Sequence, residues 1–442
     1  MVLINEFSRR LVLLSASIFL SLSLTACISM GKKTETIQSE LAAGRIGNAL
    51  AIAEGEDSEQ EDVLASLDKG MLRRITGNYQ ASNQIFEVAK KKIEELYGVS
   101  VSEQAGALIV NDKTRSYAGD RYEQVLLHAY MAMNYIQQGD LDSARVEMLQ
   151  ANVKMQEWGE EPEDDPFVRY LSGMIFEALG EKDQALVAYR QAKDVYTTTK
   201  DKQQLPIPST LKADLLRTLA SEGHNNELRR LKKEFGIKKY KAKAIPKGYG
   251  ELIVILNSGL APVRQESSIV ANTEGEVVDT VKIALPFYPE PAQRFHARLT
   301  TGKKKSKDLE VVEDVDALAR AALAADIPII TTRAIARAVI KHKTQEKIEE
   351  ERGALAGFLA TVVNVATEQA DLRSWVSLPQ TIQLTKLVLP EGKNTVNIEI
   401  YNAAGMLVDT IKKEVDIKSK KSSFLAEHWL APNMSLNVVA NK

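Results

Sequence analysis

The segment that decides the fold contains one pattern twice, as YIQQGDLDSARVEMLQA at Tyr135–Ala151 and as FEALGEKDQALVAYRQA at Phe176–Ala192. An aromatic residue, a glycine, and a series of small and bulky residues recur at positions 41 residues apart. Two antiparallel helices that pack closely, and that stack on a similar pair, need residues of these sizes in this order. The pattern therefore predicts a series of helical hairpins.

The same pattern extends in both directions along the chain. Gly44 and Gly77 are 33 residues apart, and each is followed by apolar and small residues at helical spacing. Gly223 begins a less regular last copy, as is common for terminal repeats. The copies resemble tetratricopeptide (TPR) repeats, which have a period of about 34 residues and act as binding scaffolds. The resemblance implies an all-α TPR-like solenoid over residues 37–240.

In such a solenoid the first helix of each pair lines a concave wall that can hold an extended peptide or a helix of a partner protein. The two clear repeats should place equivalent residues on this wall. The residues predicted to bind a partner there are Asn134, Gln137, Gln138, Ile175, Glu177 and Ala178.

The N-terminal residues predict where in the cell the protein is located. Arg9 and Arg10 precede an apolar stretch at 11–24, which ends in small residues. A basic start, a short apolar run and small residues before a cleavage point are typical of a signal peptide, here residues 1–26. The apolar run is shorter than a membrane-spanning helix requires, which disfavours an uncleaved anchor.

The tetrapeptide Leu24-Thr25-Ala26-Cys27 resembles the bacterial lipobox, which implies cleavage before Cys27 and attachment of lipid, such as palmitate, to it. Cys27 is the only cysteine, so no disulfide within the chain can form. Residues 27–36 are then a lipidated tether. Lipoproteins retained in the inner membrane usually have Asp at the next position, where this chain has Ile28. The resemblance therefore implies an outer-membrane anchor that faces the periplasm.

From residue 246 onward the apolar pattern changes from helical to strand-like. Strands are predicted at Thr381–Leu389 and Thr395–Tyr401, and a lysine-rich turn at Lys303–Lys307. Val311–Ala325 has helical composition, and Thr331–Ala370 is the longest helical pattern in the chain. We expect a multidomain protein in which residues 246–442 form an α+β domain, with strands around a long helical insertion.

Composition and motifs argue against several functions. The 57 basic and 59 acidic residues nearly cancel, so a nucleic-acid partner is not expected. The sequence lacks the motifs of common hydrolases, nucleotide-binding enzymes and metalloproteases. Its five histidines are not spaced as metal ligands, and the acidic residues at 160–165 lack a calcium-loop pattern. We predict that the protein is not an enzyme, and we predict no catalytic residue, metal or cofactor.

One set of residues keeps an alternative open. Arg294, His296 and Arg298 alternate along a predicted strand, so their side chains should share one face. That face could bind a carboxylate or a phosphate, or it could be an ordinary solvated strand face. If the protein were an envelope enzyme acting on glycan or peptide, these three residues would be its site.

Four further short segments of the sequence resemble those of a known family: Gly248–Leu252, Leu256–Pro262, Arg333–Ala338 and Ala370–Trp375. Together with the repeats they resemble a family of poorly characterised bacterial envelope lipoproteins with TPR-like N-terminal halves. Members are often associated with lipoprotein activators of penicillin-binding proteins, which implies a link to peptidoglycan synthesis. The family has no established catalytic residues, so the resemblance assigns none here.

These observations favour an outer-membrane lipoprotein that acts as a protein-interaction scaffold or regulator of an envelope assembly. Its partners would be envelope proteins bound through the repeats, and the membrane through the lipid. An accessory factor for outer-membrane protein or surface-organelle assembly is the alternative among binding proteins.

Overall fold

The computed structural model describes the chain in nine stretches, and the structural statements below concern these residues: 33–55, 62–97, 116–158, 164–199, 205–241, 244–273, 279–302, 305–352 and 369–431. The predicted signal peptide and Cys27 lie outside them, so the predicted lipid attachment stays a prediction.

The first half consists of helices arranged as consecutive antiparallel pairs. In chain order they are α1 (33–42), α2 (Ile46–Ala53), α3 (Val63–Ile75), α4 (Tyr79–Tyr97), α5 (Arg121–Gln137), α6 (Leu141–Glu157), α7 (Pro166–Ala178), α8 (Lys182–Thr198), α9 (Ser209–Ser221) and α10 (Asn225–Glu234). The two predicted copies of the pattern fall on the turns α5–α6 and α7–α8 and on the second helix of each pair. This half is therefore a TPR-like stack of helical pairs.

The glycines of the pattern explain how closely the helices of a pair approach. Gly139 ends the turn between α5 and α6 with a φ of 78°, a left-handed conformation that favours glycine. Gly173 lies within α7 against the ring of Tyr189 on α8, where an added Cβ would be 2.4 Å from a ring carbon. Helix α7 begins at Pro166, after Asp165, whose side chain caps it by accepting a hydrogen bond from the Val168 N–H at 2.8 Å.

The second half contains two four-stranded sheets, a hairpin and a long helix. Its elements are β1 (Tyr249–Ser258), β2 (Gln265–Thr273), β3 (Asp279–Phe287), β4 (His296–Thr301), β5 (Lys305–Asp308), β6 (Glu310–Asp314), α11 (Val315–Arg352), β7 (Thr381–Pro390), β8 (Gly392–Tyr401), β9 (Leu407–Ile417) and β10 (Ser422–Trp429). The first sheet has the order β10-β1-β7-β6, with β1 and β10 parallel. The second sheet has the antiparallel order β5-β4-β8-β9, and β2 pairs with β3. The order of a helical half followed by an α+β half is thus the predicted one.

Strand β1 shows how the layers stack. Ile253 and Ile255 belong to a core shared with the helical repeats, whereas Leu252, Val254 and Leu256 belong to a second core shared with the other sheet. Successive side chains of a strand point to opposite faces, so the first sheet lies between the repeats and the second sheet. A strand buried on both faces reads as one continuous apolar run, as this one does.

Some boundaries differ from the prediction. The helix expected from Val311 begins at Val315, because residues 310–314 form β6 and pair with β7. Lys305–Asp308, expected within a turn, forms the short edge strand β5 beside β4. Helix α11 continues through Pro328, so the two predicted helical segments are one helix as far as Arg352. The predicted continuation at 353–368 lies outside the described residues.

Candidate functional site

The first helices of the repeats, α3, α5, α7 and α9, carry the predicted concave wall, and Asn134 on α5 lies at the centre of a polar network. Its side-chain amide donates to the Ser82 hydroxyl at 2.8 Å and to the side-chain carbonyl of Asn83 at 2.7 Å. Its own side-chain carbonyl accepts from the guanidinium of Arg74. Asn134 and all three partners are buried, so the network cross-links α3, α4 and α5 in a site from which water is excluded.

The wall is covered by the chain's own second half. Trp375, which follows α11 and precedes β7, is buried between the rings of Phe86 and Tyr130. The ring centroids are 5.7 and 5.8 Å from that of Trp375, and both pairs are edge-to-face. Such aromatic pairs stabilise a contact beyond the area that they bury. Trp375 is therefore the apolar anchor of this segment in the concave surface.

Two carboxylates of the repeats bind the backbone of the same segment. Glu123 on α5 accepts a hydrogen bond from the Trp375 N–H at 2.8 Å. Asp68 on α3 accepts from the Ser377 N–H at 3.1 Å and from the Ser377 hydroxyl at 2.6 Å. The side chains of a helical wall thus hold an irregular segment through its main chain, which is how a concave repeat surface can hold a peptide.

Contacts from the first sheet extend the covered surface along the wall. Tyr130 donates to the side chain of Asn257 on β1 at 3.1 Å. Tyr196 on α8 donates to the main-chain carbonyl of Val312 on β6 at 2.7 Å. Further along, Lys386 on β7 forms a buried ion pair with Asp214 on α9. We call this whole surface, from Asp68 to Asp214 on the repeats and from Asn257 to Lys386 on the second half, the seam.

Burial at the seam shifts the pKa of several carboxyl groups. Burial raises the pKa of Asp68 to about 7, although the hydrogen bonds from Ser377 oppose the shift. Burial also raises the pKa of Glu313 on β6 well above its usual value, and the nearby carboxyl group of Asp165 raises it further. The pKa of Asp165 is itself raised to about 6, first by burial. These groups favour protonation when the two halves are packed together.

The two central residues of the predicted groove, Asn134 and Ile175, are 0% exposed. Ile175 belongs to the same apolar core as Trp375 and as Ile382 on β7. Asn134 is held within the repeats, because its hydrogen-bond partners Arg74, Ser82 and Asn83 lie on α3 and α4. The assignment of both residues to partner binding stays a prediction.

The other four predicted groove residues lie at the C-terminal ends of the first helices α5 and α7. Gln138 is exposed and donates to the main-chain carbonyl of Asn134 at 3.2 Å, whereas Gln137 and Ala178 are partly buried. Glu177 accepts hydrogen bonds from the hydroxyl of Tyr189 at 2.7 Å and from the guanidinium of Arg217. The structure therefore engages Glu177 in packing between repeats.

The predicted anion-binding residues already have partners within the chain. Arg294 precedes β4 and pairs with Asp314 at 2.6 Å, and Arg298 pairs with Asp308 at 2.6 Å. The ring of His296 stacks on that of Tyr401, with centroids 5.3 Å apart. Because both arginines are already paired with carboxylates, the described contacts favour the alternative of an exposed strand face.

The residues that form the seam were not predicted as site residues. A signal was present for Asp68, which lies in the apolar stripe of α3 that includes Leu64, Leu67 and Met71. A carboxylate on a face that is otherwise apolar needs a buried partner. The partner, Ser377, is 309 residues away in sequence, and no local pattern identifies it.

The described residues were also compared with what a metal site and a membrane-spanning helix require. No group of three or more His, Cys, Asp or Glu side chains in the nine described stretches could hold a metal ion. None of the helices in that part of the chain has the length and apolar character needed to cross a membrane.

No protein-family model and no curated protein matches the chain. Among solved structures, it is similar to MamA (AMB-1), with 14% identity, a TM-score of 0.31, and coverage of 48% of this chain and 94% of that chain. A protein from Podospora anserina with nearly identical TPR-like repeats, described as a kinesin light chain, gives 13% identity, a TM-score of 0.33, and coverage of 48% and 94%. The apo form of RapI gives 16% identity, a TM-score of 0.32, and coverage of 46% and 66%. Similarity at this level carries no inference about the function of this chain.

Proposed function

We propose that this protein is a lipid-anchored envelope protein that works by binding, as a scaffold or regulator of an envelope protein assembly. One observation carries the proposal: the concave wall of the repeats holds the chain's own segment at Trp375–Ser377 through carboxylates that accept main-chain hydrogen bonds. The wall therefore has the chemistry of a peptide-binding surface. In this conformation the peptide segment that it binds belongs to the same chain.

The seam joins the two halves into one unit, so we place the protein partner on a surface that this unit leaves exposed. Val146, Leu149 and Val153 on α6 are exposed large apolar residues at positions i, i+3 and i+7. This spacing puts them in one stripe on the outer face of the repeats. A contiguous apolar stripe on an otherwise polar surface is typical of a docking site for a partner helix.

The finer parts of the proposal come from the sequence. Lipid at Cys27 would confine the protein to the periplasmic face of the outer membrane. The family resemblance adds that the partner belongs to an assembly close to peptidoglycan synthesis. Both parts await experiment.

The test is a pull-down from detergent-solubilised envelope, with the mature acylated chain as bait. The test variant is Leu149→Lys/Val153→Lys on α6. The matched control is Ile335→Lys/Val339→Lys, which changes two similarly exposed apolar residues on α11. Both variants should leave the circular-dichroism spectrum and Tm unchanged because the substituted side chains are at the surface.

We expect one envelope protein to be retained by the wild type and by the control, and to be reduced at least tenfold with the α6 variant. Its identity follows from mass spectrometry, and the purified partner should reproduce the difference. If the control variant alone loses the partner, the stripe on α6 is not the docking surface. If no bait retains a defined protein, the scaffold proposal is wrong.

A further inference from the structure

The turn between β8 and β9 presents the most exposed apolar side chains of the second sheet. Met406, Leu407 and Val408 are consecutive and are 60%, 55% and 40% exposed. The turn is ordered by Asn402, whose side-chain carbonyl accepts from the N–H groups of Ala404 and Met406 at 3.0 Å. The apolar tip, defined as Met406–Val408, is thus held outward by a fixed turn, and nothing in the described chain covers it.

Contacts at the base of the tip lead through β10 to the cluster that α1 shares with the second half. Asp409 accepts a hydrogen bond from the indole N–H of Trp429 at 2.8 Å. The next residue, Leu430, packs on an apolar cluster that includes Ile37 and Leu41 of α1 together with Leu260 and Val376 of the second half. The base of the tip and α1 are therefore linked through two adjacent residues of the chain.

The predicted site of lipid attachment is close to α1 in sequence. The first described residue, Lys33, is six residues after Cys27. Six residues span at most about 20 Å. Acyl chains on Cys27 would therefore lie within about 20 Å of the start of α1.

Side chains beside the tip match the interfacial region of a membrane. His296, Tyr401 and Leu407 are register partners across β4, β8 and β9. The guanidinium of Arg298 lies 5.7 Å from the centroid of the Tyr401 ring. Aromatic rings with a polar group, together with basic side chains, are enriched at the headgroup level of membranes. The arrangement puts an apolar end beyond an amphipathic border in which Arg298 is paired with Asp308 and the Tyr401 hydroxyl donates to Glu399.

We propose that the apolar tip inserts into the same lipid leaflet that holds the acyl chains of Cys27. The inference rests on the lipid anchor of the proposed function and adds a second, protein-borne contact with the membrane. A protruding convex tip has no groove for a protein segment, whereas a fluid leaflet adapts to any small apolar protrusion. Two attachment points would fix the orientation of the molecule on the membrane, which a flexible lipidated tether alone cannot do.

The experiment places an environment-sensitive label on the tip. Because Cys27 is the only native cysteine and acylation consumes its thiol, Leu407→Cys in the mature acylated chain offers one free thiol. It is labelled with the fluorophore NBD, and the protein is reconstituted into vesicles of phosphatidylethanolamine and phosphatidylglycerol. The matched control is Val146→Cys, an exposed apolar position on α6.

We expect the emission of the label at Leu407→Cys to rise several-fold and shift to shorter wavelength on reconstitution, and to be quenched by lipids with a nitroxide high on the acyl chain. The label at Val146→Cys should keep its emission in water. Equal, water-like emission from both labels would overturn the insertion of the tip while leaving the anchor intact. Incorporation of two labels per chain would show a free Cys27 thiol, and would overturn the lipid anchor together with the insertion that depends on it.

Discussion

Truncation of Trp375 to Ala is the most direct perturbation of the seam. The side chain is buried, contacts Phe86 and Tyr130 edge-to-face, and donates from its indole N–H to the Ser377 hydroxyl at 2.9 Å. Replacing a buried Trp by Ala costs about 3–5 kcal/mol through lost burial and a residual cavity. Each aromatic pair contributes roughly 0.5–1.5 kcal/mol beyond its area. We therefore expect Trp375→Ala to lower the free energy of unfolding by about 4–5 kcal/mol.

The location of Trp375 gives a second, more specific expectation. Its cavity opens in a core shared by both halves, so the loss should reach the repeats as well as the sheet. Trp429→Ala is the matched control, because Trp429 is also buried and also packs edge-to-face, on Phe295 at 4.8 Å, but in the core between the two sheets. Urea unfolding measures the free energy of each variant. Native-state hydrogen exchange resolved by mass spectrometry shows which helices lose protection.

Trp375→Ala should raise exchange in α3 and α5, and Trp429→Ala should raise exchange mainly in β9 and β10. A loss below about 1 kcal/mol for Trp375→Ala would contradict its role as anchor of the seam, because a buried Trp cannot be removed from a packed core at so small a cost. Equal exchange in α3 and α5 for both variants would contradict the assignment of the two tryptophans to separate cores.

Three further predictions concern packing, protonation and charge at the same surfaces. Gly70→Ala should destabilise the protein by about 1–3 kcal/mol in urea unfolding, because the new Cβ would lie 2.5 Å from ring carbons of Phe86 on α4. Gly47→Ala is the control: a Cβ there would have no atom within 4 Å, so it should stabilise helix α2 by about 0.5–1 kcal/mol. Burial raises the pKa of Asp68 from 3.8 to about 7, so between these pH values the folded state binds a proton that the unfolded state has lost. The free energy of unfolding of the wild type, relative to that of Asp68→Asn, should therefore fall as the pH rises from about 4 to about 7 and level off above. Unfolding curves in which this difference grows with pH would contradict the prediction. Lys386→Met should lower the free energy of unfolding by about 3 kcal/mol, because it leaves the buried carboxylate of Asp214 without that partner. Adding Asp214→Asn should recover part of this loss, and thermal unfolding of the single and double variants measures it.

The predictions that succeeded depend on short stretches of sequence. The helical pairs follow from glycine, aromatic and small residues within about 20 positions of one another, and Asp165 caps α7 through a residue three positions away. Strand β1 is also encoded locally, because a continuous apolar run is typical of a strand buried on both faces. The start of α11 was missed because Val312 suits both a helix and a strand, and only its pairing with β7 decides between them.

The sequence by itself determined that the first half is helical and that strands and a helix follow it, and it predicted which residues line the first helices of the repeats. Only the tertiary structure decided what those residues face. Glu123 and Trp375 are 252 residues apart in sequence, yet they form one hydrogen bond in the seam. A carboxylate on a helix can accept a main-chain hydrogen bond from any segment that reaches it, so its identity does not specify the donor. The occupant of the concave wall was therefore set by the packing of the whole second half, which no local pattern encodes.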